Sequence, residues 1–125
     1  MSRVYADHTP LEAAGQALLA FLFLGTALVN STMKAKQHAD RIAAQGIPAP
    51  WAVLWAGFAM QYAGALMIAL DVWTDVGAVV LIVFTVLASA IFHRFWEVED
   101  PLRRHLHQAF LFSNCGICGG LLLLI

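Results

Sequence analysis

The sequence predicts an all-α integral membrane protein built as a bundle of four transmembrane helices. Three observations carry this. First, residues 13–33, 51–70, 76–93 and 106–125 form long apolar stretches that contain no Asp, Glu, Lys or Arg. A helix needs about 20 mostly apolar residues to cross the hydrocarbon core of a bilayer. Second, the 125-residue chain is 61% hydrophobic and 12% charged, with a mean hydropathy of +0.74. A soluble domain of that length has too little interior to hide so much apolar surface. Third, Trp51 and Trp73 bracket the second stretch, as suits the two membrane–water interfaces.

The elements follow in order within a single domain, residues 1–125, with helices over about 11–33, 51–73, 75–96 and 105–125. The first starts near Thr9-Pro10, with proline favoured in the first turn and Glu12 close to the positive helix end. Residues 1–10 lack the basic run of a signal peptide, so this helix is expected to stay in the mature chain. The connector Lys34–Ala44 can form an interfacial helix. Gly46 ends it, and Pro48 and Pro50 block immediate continuation before the second span. Asp71 and Asp75 flank a short turn, so the second and third helices form an antiparallel hairpin. The run EVEDPLRRHLHQ is the second connector. Helix–helix contacts are expected at Gly116-x-x-x-Gly120 with Gly119 beside it, and along Ala56, Gly57, Ala63, Gly64 and Ala65.

Four spans place both termini and the short turn on one face and the two connectors on the other. The connector face holds Lys34, Lys36, Arg41, Arg94, Arg103 and Arg104; the terminal face holds Arg3. The positive-inside rule then puts connectors 34–50 and 94–105 in the cytoplasm and both termini outside. A net charge of −1 gives no sign of a nucleic-acid partner; the expected partner is the lipid bilayer.

The polar residues kept within the spans are the candidates for chemistry. Cys115-Gly116-Ile117-Cys118 places two sulfurs about one turn apart, as in thiol–disulfide enzymes. The pair starts roughly 14 Å beyond Leu106 at about 1.5 Å per residue, near mid-membrane. A regular helix holds such Cβ atoms about 5–6 Å apart, and a disulfide needs about 3.5–4.5 Å, so redox use requires distortion. The alternative is two small thiols packed beside glycines. No third ligand stands nearby, and a metal is not expected. Gln61, Tyr62 and Asn114 serve either as interhelical hydrogen-bonding groups or as the lining of a cavity for a quinone or other small molecule. His38, His93, His105 and His107 all fall on the connector face, where together they can bind a metal, a haem or a quinone headgroup or simply be solvated at helix ends. His93 stands out, beside Arg94 and Trp96 where the third helix leaves the lipid.

Taken together, three segments resemble the DoxX family of small four-helix bacterial membrane proteins. They are Gly46-Ile47-Pro48-Ala49-Pro50 followed by Gln61-Tyr62-Ala63-Gly64-Ala65-Leu66, the His93-x-Phe95-Trp96 helix end, and Phe112-Ser113-Asn114 with Gly119-Gly120-Leu121-Leu122. The family often has Glu at the position of Gln61 and a Lys soon after the first-helix glycine, whereas here the first Lys after Gly25 is Lys34; the CxxC is not a general family feature. The resemblance implies a bacterial inner-membrane protein that accompanies redox enzymes, with relatives linked to quinone-coupled thiosulfate oxidation or to thiol and oxidative stress. The leading expectation is therefore a non-catalytic or assisting subunit of a membrane redox assembly. Its bundle would hold a quinone and its connectors would face other subunits. The alternatives are a thiol–quinone oxidoreductase using Cys115 and Cys118, and, more weakly, a small-molecule transporter.

Overall fold

The computed structural model describes residues 7–125; Arg3, counted above on the terminal face, lies outside them. The described residues form α1 (Pro10–Met33), α2 (Ala35–Ala44), α3 (Pro50–Ala69), α4 (Thr74–Phe92), a 3-10 turn (Phe95–Glu97) and α5 (Pro101–Leu122), with no strand among them. Three of these helices, α1, α3 and α4, are long and apolar enough to cross a membrane. Their outer faces expose Leu18, Phe21, Trp55, Leu66, Val83 and Val86. A water-soluble surface does not carry such a belt; this is a membrane protein whose solvent is lipid.

The ends of the helices have local causes. Thr9 caps α1: its hydroxyl accepts from the Glu12 N–H (3.1 Å), and the Glu12 carboxylate accepts from the Thr9 N–H (3.0 Å). This reciprocal pair satisfies two donors that a helix start leaves open. α2 ends at Gly46, whose φ of +78° is the left-handed conformation glycine adopts without Cβ strain. Ala49, held before Pro50 and so disfavoured in the right-handed helical region, also turns left-handed.

Three helix bounds differ from the sequence expectation. α3 stops at Ala69 rather than near Trp73, because Asp71 and Trp73 both adopt positive φ and turn the chain into α4. α4 stops at Phe92 rather than Trp96: His93 leaves the helical region, and Arg94 Nε folds back onto the Ala90 carbonyl (2.6 Å). α5 starts at Pro101 rather than near 105, because Asp100 caps it by accepting from the Leu102 N–H (3.0 Å). Arg103 and Arg104 therefore sit in its opening turns, and α5, although 22 residues long, does not reach the hydropathy that α1, α3 and α4 reach.

α1 packs along α3, α3 along α4, and α4 along α5. α1 meets α5 only weakly, near the terminal end, where Leu121 joins Ala20, Phe23, Ile68 and Leu81 in one core cluster. A second cluster at the connector end joins α2 to the bundle through Ala39, Ile42, Leu54 and Phe58. The closest crossing is between α3 and α4. A Cβ on Gly77 would lie 2.9 Å from the Gly64 carbonyl oxygen and 2.8 Å from Met67 Cβ, and one on Gly64 would lie 2.7 Å from Leu81 Cγ. Gly116 and Gly119 in α5 meet nothing within 4 Å, and Gly120 reaches only ordinary contact with Leu19. The close approach expected of the α5 glycines is thus made within the described residues by Gly64 and Gly77.

Gly77→Ala is expected to destabilise the bundle by about 1–3 kcal/mol, the usual cost of forcing extra volume into a tight contact, while Gly116→Ala leaves stability unchanged. Thermal unfolding in detergent checks both.

Candidate functional site

Between the two core clusters lies a cleft of about 710 Å³, formed by the connector-side halves of α1, α3, α4 and α5. Its wall is mostly apolar, with Phe23, Phe58, Phe84 and Ile117, and α2 covers it with His38, Arg41 and Ile42. The cleft exists because α1 and α5 touch only at the far end, where the small side chain of Ala20 and the absence of one at Gly120 let them meet.

Gln61 stands in this wall, buried at 3% exposure. Its Nε2 donates to the Phe23 carbonyl (3.0 Å) and to Thr26 Oγ1 (2.8 Å). A carbonyl can only accept, so the amide orientation is fixed by that bond. Both N–H groups are then used, and among the described residues nothing donates to its Oε1. Asn114 comes from α5 into the same wall, its Nδ2 donating to Ser89 Oγ (2.8 Å). His93, the residue that ends α4, also lines the cleft. Its Nδ1 lies 3.1 Å from Nδ1 of His107, so one ring donates and the other accepts. Gln61, Asn114 and His93 are therefore brought together.

Tyr62 is not with them. One residue on from Gln61, it turns about 100° around the helix, and its hydroxyl pairs with Ser31 Oγ (2.8 Å) as an α1–α3 tie. The two cysteines are free thiols, Cys115 exposed and Cys118 half-buried, and neither lines the cleft. Among the described residues no three His, Cys, Asp or Glu side chains gather as a metal set.

The residue that sequence reasoning undervalued is His38. Both its ring nitrogens are buried without a hydrogen-bond partner among the described residues, and its ring meets Phe92 edge-on at 5.1 Å between centroids. A buried polar atom left unmatched is costly, and this one borders the cleft. The available signal was spacing: His38 lies four residues before Ile42, so the two share the face of α2 that turns inward. α2 lies outside the membrane-crossing helices, and burial, followed by the charges of Arg41 and Lys34, holds His38 below the ordinary imidazole value of 6.5.

The terminal end is closed by a separate polar knot. Gln16, buried in α1, donates through Nε2 to the Ile68 carbonyl (2.9 Å) and to Asp71 Oδ1 (3.0 Å), and its Oε1 lies 3.0 Å from His8 Nε2. Thr74 Oγ1 also donates to Asp71 (2.6 Å). This knot ties α1 to the left-handed turn between α3 and α4 and takes no part in the cleft.

A pH effect follows from His38. Its folded pKa lies below the unfolded value, so the unfolded chain binds its proton first, and stability present above about pH 6.5 falls as pH drops through the folded value. Thermal unfolding followed from about pH 7 to about pH 5 should show this loss, and His38→Leu should flatten the slope. Gln16→Leu should lower stability at every pH in that range by about 1–2 kcal/mol through its lost hydrogen bonds.

The family model for DoxX matches residues 15–94, from within α1 to just past α4, and stops before α5 and its cysteines. No curated protein and no solved structure matches the chain. The matched region holds Gln61, His38 and His93 and the Gly64–Gly77 crossing. With well over half of its length covered by that model, the chain belongs to the DoxX family.

Proposed function

We propose that this DoxX chain is a non-catalytic membrane subunit of a redox assembly that holds a quinone in the cleft. The observation that carries the reading is the cleft itself. Its volume of about 710 Å³ is that of a small-molecule site, and its wall is apolar with a few uncharged polar groups. A quinone ring presents two carbonyl acceptors on an apolar frame. His38, with two unmatched ring nitrogens, has an N–H to offer one of them. The unused Oε1 of Gln61 suits a hydroxyl donor, as the reduced ring would present. Gln61 carries no charge where a carboxylate would, so it binds and orients without taking up a proton at neutral pH. Cys115 and Cys118 have no role in this reading, since neither borders the cleft.

In the same proposal α5 is the fourth span, lying against α4 with its exposed Phe112 and Leu122 toward lipid. The connectors, with Lys34, Lys36, Arg41, Arg94, Arg103 and Arg104, face the cytoplasm of a bacterial inner membrane and meet the other subunits.

Titration of the purified protein with a short-chain ubiquinone, read by quenching of tryptophan fluorescence, tests the reading. Saturable quenching is expected. His38→Leu and Gln61→Leu should each weaken it by about tenfold, the loss of roughly one good hydrogen bond. Replacing both cysteines by Ser should leave it unchanged. Unsaturable quenching, or equal binding in all variants, would overturn the proposal. A reporter fused to the C-terminus should be silent in the cytoplasm; a cytoplasmic signal would reverse the orientation or remove the fourth span.

A further inference from the structure

Beyond the apolar cleft, the connector end carries a second crevice of about 200 Å³ between α2, the end of α4 and the start of α5. Arg41 of α2, Arg94 just past α4, and Arg103 and His107 of α5 line it. Glu97 is the carboxylate in its wall, and Arg94 Nη1 already pairs with it at 3.3 Å. Arg41 and Arg103 have no ion pair or hydrogen bond among the described residues. The crevice therefore holds two guanidinium charges that nothing in its wall offsets. Arg41 also opposes protonation of His38, three residues before it on α2.

Besides Gln45, the rest of the wall is apolar: Ala44 from the end of α2, Ile91 and Phe92 at the end of α4, and Val98 after the 3-10 turn. Both guanidinium groups are exposed, so water screens them in part, and a bound anion offsets their like charge further. Guanidinium groups offer paired N–H donors whose spacing matches two oxygens of a phosphate. Basic pockets between helices at the level where spans leave the lipid suit phosphate-bearing headgroups, whose acyl chains stay in the apolar layer below.

We propose that this crevice is a binding site for a phosphate oxyanion, presented by the headgroup of an anionic lipid and gripped by Arg41 and Arg103. It borders the apolar cleft, sharing Arg41, Ile91 and Phe92 with its wall, but does not depend on what the cleft holds. A headgroup seated there joins α2 to the α4–α5 junction and so fastens the helix that covers the cleft.

Native mass spectrometry of the full-length protein, with phosphatidylglycerol or phosphatidylcholine of matched acyl chains, tests this. The wild type should retain phosphatidylglycerol preferentially. The double variant Arg41→Gln/Arg103→Gln should lose about tenfold of that preference, as expected when charge-assisted hydrogen bonds are removed. Lys34→Gln/Lys36→Gln removes the same formal charge outside the crevice and should change it by less than about twofold. Absence of preference in the wild type, or equal losses in the two double variants, would overturn the proposal. If the Gln pair does not fold, Arg41→Lys/Arg103→Lys keeps the charge but loses the paired donors. A drop of at least about threefold then supports the site, and an unchanged preference sinks it. Inorganic phosphate against chloride at equal ionic strength identifies the source. Displacement of lipid by phosphate alone shows that a free oxyanion fills the same grip, and no displacement by either leaves the lipid headgroup as occupant.

Discussion

Hydrocarbon offers no hydrogen-bond partner, so each polar group carried into it has to be met by the bundle itself. Two glutamines show how this constraint organises the chain. Gln16 and Gln61 are both buried, and each sends its amide into a backbone carbonyl of the helix opposite, Ile68 for one and Phe23 for the other. They tie α1 to α3 at two heights. Charged residues in those places would need desolvation and a counter-charge; an amide needs only a carbonyl within about 3 Å. The pairing of α1 with α3, on which the terminal-end core cluster and the cleft depend, draws on these two reaches across the interface and on the Tyr62–Ser31 bond.

The two ends of the bundle are built differently. At the terminal end, Gly64 and Gly77 bring α3 and α4 nearly backbone to backbone, and the knot around Gln16 and Asp71 locks α1 onto their turn. At the connector end the helices spread, phenylalanines and amides face a shared space, and a short amphipathic helix covers it. The polar groups follow the same division. Those at the closed end are mutually saturated, whereas His38 and the Gln61 carbonyl, at the open end, are left without donors or acceptors.

Much of this was legible in the sequence, for physical reasons that differ by element. The crossing helices declared themselves because lipid demands long uncharged runs, and α2 because Gly46, Pro48 and Pro50 mark where an interfacial helix must end. Gln61, Tyr62 and Asn114 were named as a group because polar residues at depth are rare, and His93 was singled out separately where its helix leaves the lipid. The helix ends were harder. Asp71, a residue that tolerates the left-handed region, marked the turn, but left-handed Trp73 carries no such signal, so the point where α3 stops was missed. Asp100 before Pro101 was such a signal for α5, obscured by the surrounding charges. Tyr62 was placed with Gln61 by sequence adjacency, although neighbouring residues on a helix point in different directions. The glycine pattern in α5 was conspicuous, but a GxxxG motif does not say which neighbour it faces. His38 was passed over because a histidine in a polar connector looks solvated until α2 is seen folded onto the bundle.

The weak meeting of α1 and α5 has a consequence for how anything reaches the cleft. Residues of both helices line it, yet above Leu121 they do not close against each other, while Ile42 of α2 covers the connector side. With α5 as the fourth span, as proposed, the seam between them opens sideways, into the plane of the membrane. A molecule arriving by that route never passes through water. Its relevant concentration is then its mole fraction among the lipids, and occupancy of the cleft follows the composition of the surrounding leaflet rather than that of either aqueous compartment.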